Sequence, residues 1–153
     1  MQIVNLRNAN DIHEIVRCLD NEECKDAGIY INEAELRYYR NSPWIEAFIL
    51  IEKNEVAGFA SINLSEKAWG RGTWMEFYIM PSYRHKMCGY KFYKAILTAF
   101  AGCHRICSHV RVSNKPMYEL LVKLGWKTEC VIRRYDRDSK SYYQLSYNRG
   151  AKE

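Results

Sequence analysis

Arg84, His85, Lys86 and Lys91 gather positive charge around Gly89, at the head of a run whose apolar residues repeat at helical spacing. That combination builds an anion site. The first N–H groups of a helix have no intrahelical partner, and the helix dipole favours negative charge beside them. Glycine there lets the backbone approach a ligand closely. A diphosphate is the natural guest.

The elements that must position this loop are readable on either side of it. Trp74 to Met80 is an apolar strand running into Pro81, and Tyr93, Ile96, Leu97 and Phe100 give the following helix one core stripe, with Gly102 as its stop. Upstream, Ile3 to Leu6 reads as a first strand. Ile12, Ile15, Val16 and Leu19 follow helical spacing after Asn10 as N-cap, and Asn32-x-x-Glu35 has the form of a capping box opening a helix through Arg40 that Pro43 stops. Ala47 to Ile51 and Val56 to Leu64 read as a hairpin around Glu52-Lys53-Asn54-Glu55. Downstream, Ile106, Ser108, Val110 and Val112 alternate as a strand. Met117, Leu120, Leu121 and Leu124 form a helical stripe ended by Gly125. Trp126 to Tyr135 and Tyr142 to Tyr147 close the chain as an antiparallel hairpin around Asp136 to Ser141. The expected fold class is α/β, a mixed sheet with helices on both faces.

The 153 residues suit one domain with its own core. Hydrophobic residues at 48% and charged residues at 27% fit a globular chain, and no apolar run approaches the roughly 20 residues of a membrane span. The opening residues MQIVNLRNANDIHE lack a secretory apolar core, and six scattered cysteines are too few for a disulfide scaffold. A cytoplasmic setting with reduced thiols is therefore expected. The net charge of +5 suits a polyphosphate ligand or nucleic acid equally.

Tyr83-Arg84-His85-Lys86-Met87-Cys88-Gly89 resembles the pyrophosphate loop of the GNAT superfamily of N-acetyltransferases, whose pattern is Arg/Gln-x-x-Gly-x-Gly/Ala after a strand ending near a proline. Arg84 and Gly89 match the first and last positions, and Met87 stands where the first glycine is usual. Asn114-Lys115-Pro116-Met117, followed by Leu120-Leu121-Val122-Lys123-Leu124-Gly125-Trp126, resembles the downstream segment of the same superfamily. The resemblance implies one GNAT-like domain over residues 1–153, with a central, mostly antiparallel sheet that splays open beside the strand before the loop. It implies acyl transfer, usually of acetyl, from acetyl-CoA as co-substrate to an amine, without a metal. Cofactor contacts are then expected at Ile79, Met80, Arg84, His85, Lys86, Met87, Cys88, Gly89, Tyr90 and Asn114.

An aliphatic amine, with a pKa near ~10.4, is mostly protonated at neutral pH and cannot attack until a base removes its proton. By the resemblance, Glu76 on the strand before the loop is the expected base. The superfamily's acid tyrosine falls here on Leu121, and Tyr118, one helical turn earlier, is the nearest substitute. A thiolate, from a thiol of pKa near ~8.5, also leaves without an acid.

Other features have simpler readings beside functional ones. Asn114 caps its helix whether or not it also touches cofactor. Cys88 serves as a small apolar residue or, near a helix start, as a reactive thiol. Cys103-His104-x-x-Cys107-x-His109 matches no common zinc pattern. Tyr38, Tyr39, Arg40, Trp44, Trp69 and Trp74 divide between core packing and an acceptor site where aromatic faces would meet a charged amine. The departures at Met87 and Leu121 keep open a non-catalytic GNAT-like protein that binds CoA or a protein partner. A nucleic-acid role through Arg133, Arg134, Tyr135 and Arg137 ranks third, because Asp136 and Asp138 interrupt that cluster. The amine acceptor is not named by the sequence, and a homodimer is left open.

Overall fold

The computed structural model describes residues 1–84 and 87–150; the loop residues His85 and Lys86 lie outside that range. Among the described residues, seven strands form one sheet: β1 (Gln2–Asn5), β2 (Ile45–Glu52), β3 (Glu55–Asn63), β4 (Arg71–Ile79), β5 (Arg105–Arg111), β6 (Lys127–Ile132) and β7 (Tyr142–Asn148). Their spatial order is β1-β2-β3-β4-β5-β7-β6. Every neighbouring pair is antiparallel except β4–β5. A parallel pair needs a long crossover, and the segment between β4 and β5, which carries a helix, supplies it.

The helices are α1 (Ile12–Leu19), α2 (Glu22–Asp26), α3 (Glu33–Asn41), α4 (Met87–Ala99) and α5 (Lys115–Lys123). They lie on both faces, as expected, and each face has its own core. Ile12, Ile15, Leu19, Cys24, Leu36 and Tyr39 of α1–α3 pack with Ile49 and Phe59 of the sheet. On the other face, Phe92, Tyr93, Ile96 and Leu97 of α4 and Leu121 of α5 pack with Trp74, Ile106 and Leu145. No described helix is long and apolar enough to cross a membrane.

Local chemistry sets most boundaries. Asn32 Oδ1 accepts from the Glu35 N–H at 2.8 Å and starts α3 as the capping pattern predicts. The β2–β3 turn places Lys53 and Asn54 at φ of 50° and 61°, as a two-residue hairpin requires. Some expectations need correction. The cap of α1 is Asp11, whose side chain accepts from Glu14 N–H at 3.0 Å, so Asn10 stands outside the helix. α2 has one buried residue, Cys24, too little for a readable period. β4 begins at Arg71, before Trp74. In α5 only Leu121 of the expected stripe is fully buried, and Leu120 is exposed. β6 stops at Ile132, because Arg134 turns the chain at φ 51°.

Candidate active site

β4 and β5 pair from Arg71↔Arg105 to Trp74↔Ser108 and then part. Ser108 Oγ donates to the Trp74 carbonyl at 3.2 Å at the point of separation. Beyond it β5 continues against β7, while the β5-facing edge of β4 from Met75 to Ile79 has no strand partner among the described residues. Backbone polar groups on such an edge need partners, and an extended guest can provide them.

The opening leads directly to the start of α4. Met80 N–H donates to the Ala57 carbonyl at 2.8 Å, and the Tyr83 hydroxyl donates to Glu55 Oε2 at 3.0 Å, so the intervening turn is anchored on β3. Cys88 is buried, with its thiol 3.6 Å from the Tyr83 carbonyl, which gives it a packing role. Gly89 lies in the first turn of α4. Among the described residues, a Cβ built there would meet only Ile79 Cγ1, at an ordinary 3.8 Å, so none of those neighbours requires glycine at this position. Met87 and Tyr90 are exposed, and Ile79 and Met80 are half-buried at the strand end. The first turn of α4 carries no acidic residue that would oppose an anion.

Glu76 lies just past the parting of the strands. The β3–β4 register shifts between Ser61↔Glu76 and Ile62↔Trp74, leaving Met75 as the extra residue of a bulge. Trp74 therefore faces α4, while Met75 and Glu76 both face α1–α3. Glu76 Oε1 accepts from the Tyr39 hydroxyl at 2.6 Å and the Ser61 hydroxyl at 2.7 Å. The residue is half-buried as a whole, with its carboxylate enclosed among these groups. Burial pushes its pKa up to about 7, outweighing the two hydrogen bonds that hold it down; the Glu35 charge adds to the rise. A carboxyl poised near neutrality is suited to accept a proton.

The other expected residues are distributed as follows. Arg84 Nε donates to the Ile79 carbonyl at 2.9 Å, its guanidinium pairs with Glu23, and it lies 5.4 Å from the Tyr78 ring centroid. Its side chain is thus turned toward α2. Asn114 caps α5 through the Met117 N–H at 3.4 Å. Tyr118 is stacked on Tyr143 with centroids 4.2 Å apart, and its hydroxyl is 2.8 Å from Thr128 Oγ1. That places it against β6 and β7. Leu121 is 7% exposed and belongs to the core.

Tyr39 and Trp74, grouped by sequence with acceptor-site aromatics, are buried, whereas Tyr38, Trp44 and Trp69 are exposed. Cys103 is buried, and His109 stacks on Tyr135 at 5.1 Å. The Arg137 guanidinium lies 3.6 Å from the Tyr30 ring centroid, and Asp136 and Asp138 pair with Arg111. Sequence reasoning missed Ser61 and Glu35, the groups that share hydrogen bonds with Glu76 and Tyr39. Glu35 and Tyr39 share a helix face at i, i+4 spacing, so that pair was visible; Ser61 depends on strand register.

A sequence model of the Acetyltransferase (GNAT) family matches residues 9–126. The chain belongs to the GNAT acetyltransferase family. Its fold is that of solved GNAT proteins. Ard1 from Thermoplasma volcanium superposes with TM-score 0.75 at 14% identity, over 99% of this chain and 100% of that one. Spermidine N-acetyltransferase from Vibrio cholerae, in complex with CoA and spermine, gives 0.76 at 13% identity, over 97% and 96%. The ribosomal-protein-S18-alanine N-acetyltransferase from Escherichia coli gives 0.71 at 14% identity, over 99% and 97%. These identities establish a shared GNAT fold and nothing finer. No curated protein matches the chain significantly in sequence.

Proposed function

We propose that this GNAT protein transfers acetyl from acetyl-CoA to a primary amine by direct attack, with Glu76 as the base. The observation that carries the reading is the position of Glu76, just past the parting of β4 and β5 on the strand that leads into α4. The residues fit the co-substrate. The unpaired edge of β4 offers backbone groups to an extended arm, including those of Ile79 next to Met80. The start of α4, with Gly89 leaving room beside Ile79, offers N–H groups to a diphosphate. Met87, Cys88 and Tyr90 frame that turn, His85 and Lys86 add charge by sequence, and Arg84 braces the loop through Ile79.

The chain's residues divide the reaction simply. Glu76 takes the ammonium proton, and the free amine attacks the thioester carbonyl. A backbone N–H of β4 stabilises the oxygen as it gains charge. The thiolate leaves and takes up the second proton that the attacking nitrogen sheds, so no dedicated acid is needed, in keeping with Leu121 in the core and Tyr118 bound to Thr128. The buried Leu121 also favours a second reading, a GNAT protein that binds acyl-CoA without turnover.

Calorimetry with acetyl-CoA, followed by thiol release with spermidine, a lysine ester and an alanyl peptide, tests both. Binding with thiol release supports transfer. Binding with no release across the panel supports the second reading, and no binding at millimolar acetyl-CoA contradicts both.

A further inference from the structure

We propose that Tyr39 and Glu35 form a proton-release route for Glu76, carrying the proton taken from the amine to the exposed side of α3. The inference rests on Glu76 being the base.

The Tyr39 hydroxyl has one proton and two carboxylate oxygens in reach, Glu76 Oε1 at 2.6 Å and Glu35 Oε1 at 3.0 Å. Tyr39 itself is buried, whereas Glu35 is half-exposed. The hydroxyl thus bridges an enclosed carboxylate and one that reaches water. Among the described residues, no other group hydrogen-bonded to Glu76 leads to a second carboxylate. Ser61 from β3 is fully buried, and its hydroxyl donates to Glu76 itself. Cys24 from α2 is buried, with its thiol pushed up to about 11 by burial. Tyr78 on β4 is buried, with its hydroxyl pushed up to about 12, again mainly by burial.

After amide formation Glu76 is a neutral carboxylic acid. Its O–H then donates to Tyr39 Oη, and the Tyr39 hydroxyl proton turns toward Glu35. A paired shift moves the Glu76 proton to Tyr39 as the Tyr39 proton moves to Glu35. Glu76 is again a carboxylate, Glu35 is protonated, and Tyr39 keeps one proton throughout. Because both protons move together, no tyrosinate accumulates, which matters because burial raises the Tyr39 hydroxyl pKa far above its ordinary value. Glu35 then gives the proton to water. Both groups are positioning residues on one turn of α3, fixed by the Asn32 cap on the Glu35 N–H.

The test compares Tyr39→Phe, Glu35→Gln and Glu76→Gln. The first arm needs no turnover. The Glu76 carboxyl is titrated by infrared or carbon-13 NMR, with the Glu76→Gln protein identifying its signal. Its midpoint should rise in Tyr39→Phe, which loses a hydrogen bond to the ionised form, and fall in Glu35→Gln, which loses a repelling charge. Unchanged midpoints in both overturn the proposal. The second arm uses acetyl-CoA with spermidine or the alanyl peptide, whichever turns over. Tyr39→Phe and Glu35→Gln should lower kcat about tenfold. They should change kcat/KM for the amine less, and added buffer should restore rate in Glu35→Gln. Parent-like kcat in both, beside an impaired Glu76→Gln, overturns the route and leaves the base standing. A loss that buffer does not relieve also overturns it. A fully active Glu76→Gln removes the base reading and the route together.

Discussion

Trp74 Nε1 donates to the Glu76 carbonyl oxygen at 3.1 Å, closing over the bulged Met75 between them. The indole also stacks on Tyr93 of α4 with centroids 5.4 Å apart. One side chain thus ties the bulge that turns Glu76 toward α3 to helix α4. Trp74→Phe keeps an aromatic ring and loses the N–H. We expect a stability loss of roughly 2 kcal/mol from the missing hydrogen bond and the unfilled volume, measured by urea unfolding. Acetyl transfer should fall more in kcat than in KM for acetyl-CoA. A fully stable variant with parental kcat would show that the bulge holds without its clasp.

Glu76 makes stability depend on pH in a direction that can be derived. Its native pKa is raised to about 7 from an ordinary 4.5, so the native state binds more protons than the unfolded chain between those values. Its contribution is full below the unfolded pKa and is lost as pH rises through about 7. Glu76→Gln removes that loss. We expect the variant to gain on the parent by about 1–3 kcal/mol between pH 4.5 and pH 8, read from denaturant midpoints at each pH. Parallel curves would place the Glu76 carboxylate in water.

Gly89→Val tests the anion site without disturbing the core. The new Cβ meets Ile79 Cγ1 at an ordinary 3.8 Å, so Tm should move little. Valine is also a better helix former than the glycine it replaces, so helix propensity does not oppose the change. Acetyl-CoA affinity should fall at least about tenfold, because the branched side chain fills the space a diphosphate needs beside the N–H groups. Equal affinity in calorimetry would place the diphosphate elsewhere.

Arg111 is 4% exposed and donates to Asp136, Asp138, the Tyr30 and Tyr142 hydroxyls and the carbonyls of Lys25 and Asp26. It fastens the end of α2 to the β6–β7 connection. Burial alone would raise the Asp136 pKa. The Lys140 N–H, the Tyr142 hydroxyl and Arg111 together overcome that and hold it down to about 2. Arg111→Met leaves that carboxylate without its partner and should cost about 3–5 kcal/mol. The Asp136 share of that loss is present above pH 4 and fades as pH falls toward about 2. A loss below about 1 kcal/mol at neutral pH would mean the network is solvated.

Four of the helices, α1, α3, α4 and α5, and the β2–β3 hairpin were legible because their signals are local: Asn32 caps α3, and Lys53-Asn54 turns a two-residue loop. The loop before α4 was legible by residue type. The face of Glu76 was not. Plain alternation from Trp74 would have put Glu76 on the α4 side, and only the Met75 bulge reverses it. Arg84 shows a different limit. Its charge marked an anion site, yet its partner Glu23 sits on a short helix with no periodicity to announce it. Helical spacing points to Tyr118 as the substitute for Leu121, but the partner that fixes it, Thr128, comes from a strand the helix does not specify.

The central claim is that Glu76 takes the proton from an amine attacking acetyl-CoA. The most direct measurement is kcat/KM for the amine against pH, in the parent and in Glu76→Gln, with acetyl-CoA affinity measured alongside. The parent should show a rising limb with an inflection near 7, from ionisation of Glu76. In Glu76→Gln that inflection should vanish, the rate near neutrality should fall about 10²–10⁴-fold, and activity should recover only as the amine loses its own proton at higher pH. Acetyl-CoA should bind both proteins equally. A Glu76→Gln profile that superposes on the parent at every pH would contradict the claim.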